Sequence, residues 1–237
     1  MREELIDAMA EFKAIGATGL VMDVHNGEII SMVSLPDFNP NQPGDMSGEA
    51  AFNRATKGVY EMGSTFKLFT AAMALDSGTI SMAGGYDASK PIRVARFTIT
   101  DFHAKNRWLS VPEIILHSSN IGAAKMAVDV GGPVQRSYLD KFGMLEPTRL
   151  ELPEVGTPLI PTVWRRINTM TMSYGYGISV SPVQVVAGVT ALVNGGVYRK
   201  PTILKRRGRS ATGQRVITTE TSRNMRSLMR LVVSEGT

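Results

Sequence analysis

A serine and a lysine stand three residues apart, Ser64 and Lys67, in "GVYEMGSTFKLFTAAMAL", a stretch that is nearly apolar from Phe66 to Leu75. At i and i+3 on a helix the two side chains share a face and reach each other. Burial of an ammonium favours its neutral form, so Lys67 could take the Ser64 proton and turn the hydroxyl into a nucleophile. At a helix N-terminus, Ser64 would also meet free N–H groups suited to a developing negative charge. An S-x-x-K pair is expected by chance about once in a chain of this length. The apolar setting of the lysine singles this one out. A lysine reaching into water from the first turn is the competing explanation.

A second polar group interrupts apolar helical sequence at Ser118-Ser119-Asn120. The Ser118 hydroxyl and the Asn120 amide would offer a donor–acceptor pair in a cleft, although Ser118 or Asn120 could instead cap the helix that follows. The same S-x-N spacing recurs at Ser222-Arg223-Asn224, inside an Arg-rich amphipathic pattern where a solvent-facing serine is expected.

The elements that must hold these groups follow from periodicity and turn chemistry. Gly63 permits a sharp entry before a helix that starts at Ser64 and stops at Gly78, and its all-round apolar surface predicts burial. Ser110 and Glu113 form a capping box that opens a short helix, and a second helical run reaches Val130 before Gly131. Upstream, Leu5, Ile6, Met9, Phe12 and Ile15 give an amphipathic helix over residues 3–15, closed by Gly16 and laid on something apolar. "TGLVMDV" and "EIISMVS" predict a hairpin with a tight turn at Asn26-Gly27. Residues 36–50 read as a loop and 79–109 as irregular. Near the C-terminal end, "SPVQVVAGVTALVNGG" predicts an apolar helix, "VYRKPTILKRR" a strand and "TTETSRNMRSLMRLVV" an amphipathic closing helix.

Composition excludes several classes of function. The 237 residues include no cysteine, which removes disulfides, thiol catalysis and thiolate metal sites. The histidines, His25, His103 and His117, have no metal-ligand spacing. The net charge of +5 is scattered except at Lys205, Arg206, Arg207 and Arg209, a pattern that fits a solvated turn better than a nucleic-acid surface. No cofactor is implied. Neither a signal peptide nor a membrane span is evident.

"GLVMDVHNGEIISMVSLPDFNPN", "FNRATKGVYEMGSTFK", "HSSNIG", "LELPEVG" and "MSYGYGISVSPVQVVAGVTALVNGGVYRKPTI" together resemble the transpeptidase domain of class B penicillin-binding proteins, in order and over nearly the whole chain. The "YEMGSTFK" wording is most similar to the division-specific branch. The resemblance implies a mixed α/β (α+β) fold of the penicillin-binding-protein and β-lactamase type, a helical lobe beside an antiparallel sheet. It implies a septal D,D-transpeptidase that cross-links peptidoglycan stem peptides through an acyl-enzyme on Ser64 and is blocked by β-lactams. Lys67 would be the base, Ser118 would pass a proton toward the leaving amine, and Asn120 would hold the substrate amide. Tyr174 and Tyr176 in "SYGYG" resemble cleft-lining positions, with two core tyrosines as the alternative. It further implies cell-division membrane proteins as partners and a place at the periplasmic face of the bacterial inner membrane, through an N-terminal anchor of the parent protein.

The family's third motif, Lys-Thr-Gly or Lys-Ser-Gly, is not found: "ATKG" has the wrong order and "SATG" lacks the lysine. The chain is therefore expected to be one incomplete transpeptidase domain, 1–237, without the strand that binds the substrate carboxylate, the pedestal domain or the anchor. Its hairpin edge would then be open and its activity alone in doubt. A serine β-lactamase, and a non-catalytic penicillin-binding or sensing module of the same fold, are the rival readings. Rapid deacylation would mark the first. A Ser64–Lys67 separation too long for a hydrogen bond would mark the second.

Overall fold

The structure, a computed structural model, describes residues 1–45, 48–206 and 212–236. Its helices are α1 (Arg2–Phe12), α2 (Phe66–Asp76), α3 (Val111–Leu116), α4 (Asn120–Val130), α5 (Gly132–Lys141), α6 (Arg166–Met172), α7 (Pro182–Val193) and α8 (Thr219–Glu235). The strands are β1 (Ala17–Met22), β2 (Ile29–Leu35), β3 (Gly85–Asp87), β4 (Ile92–Val94), β5 (Phe97–Ile99), β6 (Trp108–Ser110), β7 (Val197–Tyr198) and β8 (Gln214–Arg215). All four strand pairs are antiparallel.

Helix α2 is the axis of the helical lobe. Eight of its eleven residues are buried, because apolar side chains leave its surface in every direction and α3, α4, α5 and α8 surround it. Phe66, Phe69 and Phe142 stack edge-to-face, with ring centroids 5.5 and 5.2 Å apart. The capping box expected at Ser110 is present: the Ser110 hydroxyl accepts the Glu113 N–H, and the Glu113 carboxylate accepts the Ser110 N–H at 2.9 Å.

The hairpin β1–β2 lies between α1 and α7. Leu20 and Met22 face Val183 and Ala187 of α7, while Gly19 on the opposite face meets Met1 and Leu5. Its turn differs from the expected two-residue type. The Asp23 N–H donates to Glu28 and the Gly27 N–H donates to Asp23, enclosing four residues in which only Gly27 has a positive φ. The side chains of Asp23 and Asn26 accept the N–H groups of His25 and Glu28 and so stabilise this longer loop.

The expectation for the N-terminal helix needs correction. It ends at Phe12, capped by Lys13 in the left-handed region, and not at Gly16. Only one edge of it touches the hairpin: Phe12 is 74% exposed and Ile15 94%. The region 79–109 is not irregular, since it carries β3 to β6. These strands are three residues long, too short for alternation to be read. Among its described residues "VYRKPTILKRR" supplies only the two of β7, and Pro201, which lacks an N–H, could not extend the ladder. Beyond it Thr202 turns to bridge Glu28 of the hairpin. Arg207 and Arg209, and the first two residues of "SATG", lie outside the described residues.

Ser222 overturns its expectation too. Its side chain is fully buried on α8, where the hydroxyl donates to the Leu192 carbonyl at 2.8 Å and accepts the Gly195 N–H at 3.0 Å. The serine fastens α8 to the end of α7.

Candidate active site

Ser64 sits in a single 3-10 turn, Gly63–Thr65, that runs directly into α2, so the α-helix proper begins two residues later than expected. Gly63 has φ 55°, the left-handed region a sharp entry requires. Ser64 is exposed, whereas Lys67 one turn on is only 3% exposed. The lysine does not reach into water. Its ammonium donates to Ser64 Oγ at 3.1 Å, to the Ser118 carbonyl at 2.6 Å and to Ser118 Oγ at 2.8 Å. Ser118 Oγ in turn donates to Ser64 Oγ at 3.0 Å. Two hydroxyls and one amine thus form a closed triangle.

Burial lowers the Lys67 pKa from 10.5 to about 8, against an opposing pull from the Asp101 carboxylate. At pH 7 about a tenth of the amine is then neutral, roughly 300-fold more than for a solvated lysine. A neutral amine keeps two donors for the Ser118 carbonyl and hydroxyl and turns its lone pair to the Ser64 hydroxyl. The separation that would have marked a non-catalytic module is not observed.

The elbow between α3 and α4 supplies the second serine. Ser118 adopts φ 53°, a sparsely populated conformation for a residue with a side chain, which costs on the order of 1 kcal/mol and turns its carbonyl and hydroxyl together toward Lys67. The cap of α4 is Ser119, not Ser118 or Asn120: Ser119 Oγ accepts the Gly122 N–H at 2.9 Å and donates to Asp101 Oδ2 at 2.8 Å. Asn120 is the first residue of α4, and its amide N–H donates to the Thr100 carbonyl at 2.9 Å. Its amide oxygen makes no hydrogen bond among the described residues.

The "SYGYG" segment follows α6 and lies against the Ser64 turn. Gly175, at φ 83°, brings its backbone so close that a Cβ there would collide with the Gly63 carbonyl oxygen. The Gly177 N–H donates to Glu61 at 2.7 Å, Tyr60 pairs with Val180, and Thr70 of α2 donates to the Ser173 carbonyl. Tyr174 is buried with Ile99, Ala124 and Met170, and burial raises its phenol pKa. Tyr176 is 53% exposed, its ring 5.7 Å from that of Tyr174. The two tyrosines therefore divide: one packs in the core and one faces solvent beside the site.

Sequence reasoning missed Asp101 and Glu61. Asp101 follows short strands that carry no readable periodicity, and Glu61 is a lone carboxylate in a loop, so neither has a local signal. No group of three or more His, Cys, Asp or Glu suited to a metal ion occurs among the described residues.

Residues 17–237 match the family described as "Penicillin binding protein transpeptidase domain". Over its whole length the chain is 40% identical to the "Probable peptidoglycan D,D-transpeptidase FtsI" of Caulobacter vibrioides and spans 40% of that protein. Its fold superposes on a crystal structure of "a peptidoglycan glycosyltransferase from Burkholderia ambifaria" with a TM-score of 0.89 at 30% identity, covering 99% of this chain and 72% of the other. It also superposes on the apo "TP domain from Burkholderia pseudomallei penicillin-binding protein 3" with a TM-score of 0.88 at 31% identity, covering 99% and 68%.

Proposed function

The chain belongs to the penicillin-binding protein transpeptidase family, and on that premise we propose that it is the acylating domain of a septal D,D-transpeptidase whose nucleophile is Ser64. The carrying observation is the triangle of Ser64, Lys67 and Ser118, with the amine buried and hydrogen-bonded to both hydroxyls.

In the proposed reaction the neutral Lys67 amine takes the Ser64 proton as Oγ attacks the carbonyl between the two terminal D-alanines of a stem peptide. Collapse of the tetrahedral adduct breaks the peptide C–N bond. The leaving amine of D-alanine receives a proton from the Ser118 hydroxyl, which recovers one from the Lys67 ammonium, and an ester on Ser64 remains. The amine of an acceptor strand then attacks the ester, loses its proton through the same groups, and leaves Ser64 protonated again. Asn120 and Tyr176 border the entrance as substrate contacts, and Tyr174 supports them from the core. A β-lactam would acylate Ser64 by ring opening, with no leaving amine to depart. The substrate places the reaction at the periplasmic face of the inner membrane, with division proteins as partners of the parent protein.

The test is covalent labelling of the full-length protein with a fluorescent penicillin, followed by mapping of the labelled peptide. We expect the label on Ser64 and none in Ser64→Ala. Undiminished labelling of that variant refutes the assignment. Deacylation over hours is expected for a transpeptidase, whereas turnover in milliseconds would identify a β-lactamase.

A further inference from the structure

The elbow that carries Ser118 and Asn120 is not self-supporting. Its first serine is in a strained conformation, its second is a cap, and the next N–H groups, at the start of α4, have no carbonyl of their own helix to donate to. The segment Thr100–Asp101, at the end of β5, engages all three positions that follow Ser118. Asp101 Oδ2 accepts the Ser119 hydroxyl at 2.8 Å, Asp101 Oδ1 accepts the Ile121 N–H at 2.9 Å, and the Thr100 carbonyl accepts the Asn120 amide at 2.9 Å. A carboxylate at this end of an eleven-residue helix also meets the positive end of its dipole.

We propose that Asp101 is a positioning residue of this site: its carboxylate clasps the first turn of α4 so that Ser118 meets the Lys67 amine, and from that position its negative charge acts on the amine. The inference rests on the acylation chemistry proposed for Ser64. The first role is geometric. Ser119 Oγ can accept Gly122 while donating only if an acceptor lies opposite, and Asp101 is that acceptor. The second role is electrostatic. The elements packed against α2 and the Ser64 turn carry the titratable groups Glu61, His117, Lys125 and Tyr174. Glu61 is engaged with Gly177, Lys125 donates to the Asp87 carbonyl, and Tyr174 is a buried phenol. The Asp101 carboxylate raises the Lys67 pKa against the lowering by burial. The carboxylate thereby limits how far the amine is discharged.

The two roles separate by substitution. In Asp101→Asn the amide oxygen still accepts Ile121 and the amide N–H₂ donates to Ser119 Oγ, so the clasp persists while the charge is lost. In Asp101→Ala both are lost. The rate of Ser64 acylation by a fluorescent penicillin is measured from pH 5.5 to 9.5 in the full-length protein and both variants. Removing the negative charge lowers the Lys67 pKa further, so the rising limb of the profile moves to lower pH in Asp101→Asn. In Asp101→Ala the limb moves the same way, and the plateau rate falls on the order of thirtyfold, the factor that corresponds to two lost hydrogen bonds of about 1 kcal/mol each. A merely structural aspartate would leave the limb where it is. A limb in Asp101→Asn that coincides with the parent's overturns the electrostatic role. If Asp101→Ala acylates at the parental rate, the positioning role is overturned. Should Asp101→Ala fail to fold, the isosteric Asn variant still decides. Labelling that persists in Ser64→Ala would defeat the proposed function itself, whereas parental Ser64 labelling with both Asp101 profiles unchanged would defeat only this inference.

Discussion

Replacing Lys67 by methionine tests whether the amine is held out of water, because the variant keeps the shape of the chain and removes the charge. Lowering the pKa from 10.5 to about 8 corresponds to about 3 kcal/mol at about 1.36 kcal/mol per pH unit. The sign follows from proton counting. Below pH 8 both folded and unfolded chains carry the lysine proton, and the folded state bears the full penalty of burying it. Between pH 8 and 10.5 the unfolded chain holds a proton that the folded chain has released, so the parent gains stability as pH rises. Lys67→Met has neither the penalty nor the slope. At pH 7 the variant escapes about 3 kcal/mol but leaves the Ser118 carbonyl and hydroxyl without their partner, at about 1 kcal/mol each. The two effects nearly offset there, and the pH dependence becomes the clean signal.

Urea unfolding of parent and Lys67→Met at pH 7, 8, 9 and 10 should show the stability difference moving in the parent's favour by about 2 to 3 kcal/mol over that range, since other titrations are common to both proteins. The variant should not acylate at any pH. Lys67→Arg should not restore activity, because a guanidinium stays charged and cannot serve as the base. A difference that stays flat from pH 7 to 10 would mean that the folded lysine is as solvated as the unfolded one, and general-base catalysis by Lys67 would lose its physical basis.

The turn that presents Ser64 should be more sensitive at Gly175 than at Gly63. Gly175→Ala places a methyl group against the Gly63 backbone and should lower stability by about 2 to 4 kcal/mol and slow labelling, whereas a Cβ on Gly63 meets nothing within 4 Å and costs only the left-handed conformation, about 1 kcal/mol. Thermal unfolding and labelling rates of the two variants measure the contrast, and equal effects would contradict the close approach. Ser222→Ala should destabilise by about 1 to 3 kcal/mol in urea unfolding by leaving the Gly195 N–H unpaired, while Ser227→Ala, on the exposed side of α8, should stay within about 0.5 kcal/mol of the parent. Phe12→Ser should leave unfolding unchanged within about 0.5 kcal/mol, because that ring is already mostly in water.

What the sequence disclosed of the site was its chemistry, and what it concealed was the scaffolding at long range. Ser64 and Lys67 were readable because one helical turn is enough to bring them together, and an isolated cation in an apolar run carries its own anomaly. Ser118 was readable as an interruption of apolar helix, and the Ser110 capping box as a local four-residue pattern. The errors share one cause. Ser222 seemed solvent-facing because its neighbours are arginines, yet its partners, Leu192 and Gly195, lie 30 and 27 residues upstream and owe nothing to local composition. Lys13 rather than Gly16 closes α1, since a left-handed cap needs only one tolerant residue once the apolar face has lost contact. Asp101 is the sharpest instance. It sits 34 residues beyond Lys67 and 17 before Ser118 in the sequence, at the end of a three-residue strand, and nothing around it distinguishes it from a surface aspartate until the fold sets it at the start of α4. The nucleophile and base announce themselves by spacing, whereas the group that holds a second serine in a strained conformation and tempers the charge of the base is defined only by where the chain returns.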